Sequence, residues 1–146
     1  FDGQAMLVRS DEKQTSFRGF ENRKVGAIQG ATSGKNFKKI QPKAKIVYFQ
    51  EYPQAVLALK KGKIDAITTD LVWCETQGKD SRKKLKVLNE TISYEPYAVG
   101  LSENESNFRD TINFAIQEAV RDGYYEKLYL KWFGKKPTKI PEVWPK

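Results

Sequence analysis

A chain of 146 residues, 39% apolar and 30% charged with a mean hydropathy of −0.66, is long enough for a real core, and no apolar run approaches the roughly 20 residues of a membrane span. The absence of histidine removes His-based triads and His-ligated metal sites, and a lone cysteine, Cys74, leaves no internal disulfide and reads as a small buried hydrophobe. The formal net charge of +8 speaks to solubility before it speaks to function.

Residues 4–9 (Gln-Ala-Met-Leu-Val-Arg) read as a strand leaving Gly3, and 10–22 as a polar loop with a short helix near Phe17 to Phe20. Residues 25–28 form a short buried strand, and Gly30-Ala-Thr-Ser-Gly34 is the turn that opens a helix, capped by Thr32 or Ser33. Residues 45–49 are a β-branched and aromatic strand. A helix follows from Tyr52-Pro53-Gln54 to Gly62, with Pro at its start, Gly past its end and an apolar face at Val56, Leu57 and Leu59. Residues 64–68 are the next strand, Asp70 opens another helix, and residues 85–88 form one more strand. This alternation predicts a parallel sheet with right-handed crossovers.

From Ile92 the character changes. Tyr94-Glu-Pro-Tyr97 is a turn-rich link, and residues 97–101 read as a strand. A helix over 106–122 places Ile112, Ala115, Ile116, Ala119 and Val120 on one face. Gly123 ends it, a second helix runs from Tyr124 to Phe133, and a tail after Gly134 is ordered only where Ile140 or Trp144 docks.

Basic residues cluster at Lys35, Lys38, Lys39, Lys43 and Lys45, at Lys60, Lys61 and Lys63, and at Lys79, Arg82, Lys83, Lys84 and Lys86. Nucleic-acid binding would need them on one face with stacking aromatics. Their places at helix ends and in turns favour solvated surface instead, and no nucleic-acid partner is expected. The informative features are two strand-to-helix junctions, residues 24–34 and 62–70. Ligands of open α/β sheets bind at the carboxyl ends of parallel strands. The first junction offers amides and hydroxyls to an anion, and the second offers a carboxylate to a cation. An amino acid carries both charges within a few ångströms.

Four segments in order, Val25-Gly-Ala-Ile-Gln-Gly-Ala-Thr-Ser-Gly34, Gly62-Lys-Ile-Asp-Ala-Ile-Thr-Thr-Asp70, Tyr94-Glu-Pro-Tyr-Ala-Val-Gly-Leu101 and Asp122-Gly-Tyr-Tyr-Glu-Lys-Leu-Tyr-Leu-Lys-Trp-Phe-Gly134, resemble the family 3 extracellular solute-binding proteins that serve ABC importers of polar amino acids. The resemblance covers essentially the whole chain. It implies an α/β fold of the periplasmic-binding-protein-like II type, in which two lobes joined by two crossing strands close on the ligand. Here it implies one lobe with a mainly parallel sheet flanked by helices, plus the C-terminal helices of the other lobe. Residues 1–8 would be a crossing strand and remnant of the first lobe, 9–93 the second, ligand-binding lobe, 94–134 the return crossing and terminal helices of the first lobe, and 135–146 the tail. The family builds most of its first lobe from sequence before the first crossing, so the chain is expected to be a second half.

The resemblance puts Thr32 and Ser33 at the ligand carboxylate, Asp70 at its ammonium, Thr69 and Gln29 near its side chain and Ile28 beside it. Helix capping alone would also account for Thr32, Ser33 and Asp70. Trp73 and Tyr97 are candidates for the cleft wall, with packing as the alternative. No catalytic residue, metal or cofactor is expected. The implied partners are a polar amino acid, the membrane permease of an ABC importer, and a second copy of the chain that completes the cleft. The implied location is periplasmic or extracellular, with membrane anchoring through further N-terminal sequence as a variant. The competing readings are an extracytoplasmic sensor lobe, a fragment that binds only as a dimer, and a dehydratase-type enzyme using Asp70.

Overall fold

The computed structural model describes residues 2–80, 84–95, 97–134, 136, 137 and 140, and the chain divides into two compact units, 2–96 and 97–146. The first unit is built on five strands: β1 (Gln4–Arg9), β2 (Lys24–Ile28), β3 (Lys45–Phe49), β4 (Ala66–Asp70) and β5 (Leu85–Val87), in the spatial order β3-β2-β4-β1-β5. β2 runs parallel to β3 and β4, while β1 pairs antiparallel with both β4 and β5. Four strands therefore run one way and β1 alone runs against them, a mainly parallel sheet with a reversed inner strand. Helices α1 (Ser33–Ile40), α2 (Tyr52–Lys60) and α3 (Leu71–Asp80) connect the strands, and a 3-10 turn spans Phe17–Phe20.

The burial of β1 explains its composition. Alternate side chains leave a strand on opposite faces, and a strand covered on both faces is apolar throughout. Ala5 and Leu7 join a core with Ala55, Leu59, Ile67 and Cys74, while Met6 and Val8 join another with Phe20, Val25, Phe37 and Leu88. Of the segment expected as a crossing strand, Gln4 to Val8 thus lie inside the sheet and are buried. The lysines of the basic runs that fall among the described residues are exposed, and Arg82 and Lys83 lie outside them.

Three sequence expectations shift. The strand expected over 64–68 is β4, Ala66–Asp70. Helix-end hydrogen bonding continues to Lys63, whose amide donates to the Ala58 carbonyl, so the ladder starts later and Asp70 ends a strand before α3 begins. Thr32 occupies the N-cap position of α1, but its side chain makes no cap hydrogen bond. Residues 97–101 form no strand; near them the described residues show only the bridge between Asp2 and Glu95. A strand needs a partner ladder, and Tyr97 and Val99 stand exposed instead.

The second unit contains α4 (Ser106–Arg121) and α5 (Tyr124–Phe133). Gly123 links them with φ of 78°, a left-handed conformation that suits glycine. Along α5, Tyr129 packs its ring 4.5 Å from that of Phe133. Neither helix contains a buried residue. In the tail Ile140 is exposed, and Trp144 lies outside the described residues. No helix among the described residues is long and apolar enough to cross a membrane.

Candidate functional site

Because β2 and β4 are parallel neighbours, in register at Val25–Ala66 and Gly26–Ile67, they end at the same edge of the sheet. β2 leaves through Gln29 and Gly30, whose φ of 84° turns the chain toward α1. At the head of α1 the amides of Ser33, Gly34 and Lys35 have no carbonyl four residues back within the helix, and the helix dipole adds partial positive charge. Gly34 allows this first turn to sit close to the sheet. A Cβ there would lie 2.9 Å from Tyr48 Cε1 and 3.0 Å from Ala27 Cβ. β4 ends in Asp70, half-buried, and passes directly into α3. The first amides of α3 are held from the other side: Leu71 N–H donates to the Gly3 carbonyl at 2.8 Å, and Val72 N–H to Asp2 Oδ1 at 3.3 Å.

The two junctions are joined through Gln4. Its backbone is the register partner of Asp70. Its side chain, 1% exposed, donates from Nε2 to the Ser33 carbonyl at 2.8 Å and to Thr68 Oγ1 at 2.7 Å. Thr68 Oγ1 in turn donates to the Ala5 carbonyl at 3.3 Å. A carbonyl can only accept, so the Ser33 contact fixes which end of the carboxamide faces α1.

Among the expected site residues, Thr32, Ser33, Thr69 and Asp70 lie at this edge. Thr32 is exposed, whereas Ser33 is buried and its Oγ has no hydrogen-bond partner among the described residues. The buried Thr69 hydroxyl is hydrogen-bonded to the Tyr52 hydroxyl at 2.9 Å. Gln29 is exposed: its amide donates to the Phe49 carbonyl, and its side-chain oxygen accepts from Gln50 Nε2. Ile28 is half-buried against the core. Trp73 is half-buried, with its ring 4.3 Å from that of Tyr52. Together with Pro53, Val56, Leu57, Lys60 and Gln77, the two rings line an open groove of about 550 Å³. Tyr97 belongs to the other unit and is 70% exposed. Cys74 lies one turn beyond Asp70, and burial, followed by the charges of Asp70 and Asp2, pushes its thiol far above the ordinary range. It is an inert core residue.

Sequence reasoning missed Gln4, Asp2 and Tyr52. Gln4 and Asp2 carried a signal: each is a polar residue beside a continuous apolar strand, and a buried polar group must have partners. Tyr52 carried none, since its link to Thr69 crosses 17 residues.

Residues 2–135 match the bacterial extracellular solute-binding proteins, family 3. The ABC transporter glutamine-binding protein GlnH of Bacillus subtilis (strain 168) is 31% identical over 137 residues, which is 93% of this chain and 50% of that protein. The putative ABC transporter arginine-binding protein 2 of Escherichia coli (strain K12) is 28% identical over 92% of this chain and 57% of its own length. Among solved structures, an ancestral arginine-binding protein bound to glutamine has a TM-score of 0.73 at 33% identity, over 92% of this chain and 60% of that one. An ancestral amino acid-binding protein described as a precursor of cyclohexadienyl dehydratase has a TM-score of 0.71 at 29% identity, over 90% of this chain and 57% of that one. The chain spans about half the length of the curated relatives it matches. With the family's match running through both units, and likeness in sequence and fold pointing the same way, this chain belongs to the bacterial extracellular solute-binding proteins, family 3.

Proposed function

We propose that this chain captures a polar amino acid outside the inner membrane and takes part in its delivery to the permease of an ABC importer. The observation that carries the reading is the joint at Gln4, which ties an amide-rich helix start to a strand ending in a carboxylate. In this reading Thr32, Ser33 and the first amides of α1 take the ligand carboxylate, and Asp70 takes its ammonium by charge-assisted hydrogen bonds. Thr69, Gln29 and Ile28 face the ligand side chain, and Trp73 forms a wall. Tyr97, the other candidate for a wall, stands exposed in the second unit. Relatives named for glutamine and arginine support a polar ligand.

Magnitudes limit what one wall achieves. Charge-assisted hydrogen bonds contribute about 1.5–3 kcal/mol each. Association costs about 4–15 kcal/mol, and micromolar affinity needs a net of about −8 kcal/mol. Tight binding therefore calls for a second wall, from another copy of the chain or from other sequence of the protein.

A catalytic reading has one observation in its favour, the likeness to the dehydratase precursor. It would rest on Asp70 as acid or base. Binding without turnover is the better-supported reading, because the curated relatives carry the names of binding proteins. The test is calorimetric titration with the proteinogenic amino acids, on the wild type and on Asp70→Asn, followed by recovery of the ligand. Saturable heat with a polar amino acid, lost in the variant and with ligand intact, is the expected result. Equal heats from both proteins would remove Asp70 from the site, and a converted ligand would establish the enzyme.

A further inference from the structure

We infer that Gln4 is the positioning residue of the site, the part that keeps its carboxylate-binding and ammonium-binding halves in register; the inference rests on the function proposed above. The side chain reaches two different elements from one carboxamide: the Ser33 carbonyl at 2.8 Å in the first turn of α1, and Thr68 Oγ1 at 2.7 Å in β4. Its main chain is in register with Asp70 and donates its N–H to Ser93 Oγ at 3.0 Å. Ser93 Oγ donates in turn to Glu95 Oε1 at 2.6 Å.

A fully buried glutamine with two good hydrogen bonds has little rotational freedom, and the groups it holds inherit that rigidity. Gln4 thereby ties α1 directly to β4. Burying a carboxamide for packing alone would be costly, since its Oε1 has no partner among the described residues while its Nε2 hydrogens are both used. What the residue supplies is a fixed distance between two charges' worth of recognition.

The test compares wild type, Gln4→Met and Leu59→Ala, the last a core change in α2, within the buried cluster that holds no residue of α1, which lowers stability without touching either junction. Affinity is measured for L-glutamine and for L-glutaminamide, which keeps the ammonium and lacks the carboxylate. Relaxation dispersion over residues 32–36 is measured in ligand-free protein. Gln4→Met is expected to weaken glutamine binding about tenfold, to shrink the preference for glutamine over its amide, and to bring microsecond–millisecond exchange to the head of α1. Leu59→Ala is expected to keep both the preference and the quiet α1. An unchanged preference with an unchanged α1 in Gln4→Met would overturn the inference. If the wild type binds neither compound, the one wall in this chain does not bind alone, and the dispersion comparison by itself decides the inference: an unchanged α1 in Gln4→Met would overturn it.

Discussion

Ser33 buries a hydroxyl that has no hydrogen-bond partner among the described residues, while Thr32 beside it stands exposed. A buried polar group left without a partner costs about 1–3 kcal/mol, so the ligand-free fold tolerates this hydroxyl at a loss. Ser33→Ala removes the loss and adds a better helix former at the start of α1. The variant is expected to unfold later than wild type, by about 1 kcal/mol in a urea titration, and to bind its amino acid more weakly in calorimetry. A less stable Ser33→Ala would mean that the hydroxyl already has a partner in solution. At this scale the place of the candidate site was legible: short apolar runs ending in hydroxyls and a carboxylate put Thr32, Ser33, Thr69 and Asp70 at the carboxyl ends of parallel strands, where ligands of open α/β sheets bind. The residues that hold them were not. Gln4 meets Ser33 across 29 positions and Thr68 across 64, and no local pattern encodes such a pairing.

Between elements, the loop after β1 is pinned by Arg23. Its guanidinium pairs with Glu12 at 2.7 Å and Asp65 at 3.1 Å and lies 4.7 Å over the Phe20 ring, while Asp65 Oδ2 accepts the Lys24 amide. The Arg23 hydrogen bond holds the Glu12 carboxyl down from 4.5 to about 2. A carboxyl lowered on folding contributes stability that is present above its unfolded pKa and is lost as pH falls through the folded value. The window here runs from about pH 4.5 down to about 2. With Arg23 partly exposed, solvent screening reduces the contribution to about 1–2 kcal/mol. Urea midpoints should place Glu12→Gln below wild type at pH 7, with the gap closing as pH approaches 2. A gap independent of pH would assign the loss to packing. The same scale shows where pattern reading stops. Helix–strand alternation predicted the parallel set β2 to β5, but the reversed direction of β1 follows from its pairing with β4 and β5, which its own residues do not announce. Residues 97–101 carry strand-like composition, and composition supplies no partner ladder.

For the whole molecule, the contrast between the two units is the consequential fact. Residues 2–96 hold two buried clusters on opposite faces of one sheet. α4 and α5 hold no buried residue, and they expose Phe108, Phe114, Leu130 and Trp132. Helices draw most of their stability from packing an apolar face, and isolated helices shorter than about 12–15 residues are marginal in water. α5 has 10 residues, and α4, with 16, passes that limit only narrowly. Hydrogen exchange should therefore rank β1, β2 and β4 as the slowest amides, opening only with global unfolding, and α4 and α5 as faster by orders of magnitude. A chain of residues 2–96 alone should keep a single cooperative urea transition near the midpoint of the whole. Repeating the exchange across protein concentrations separates the alternatives. Protection of α4 and α5 that rises with concentration would mean that a second copy covers their apolar faces. Protection that is high and independent of concentration would mean that the faces are satisfied within one chain, and the reading of the second unit as dependent on a partner surface would fall.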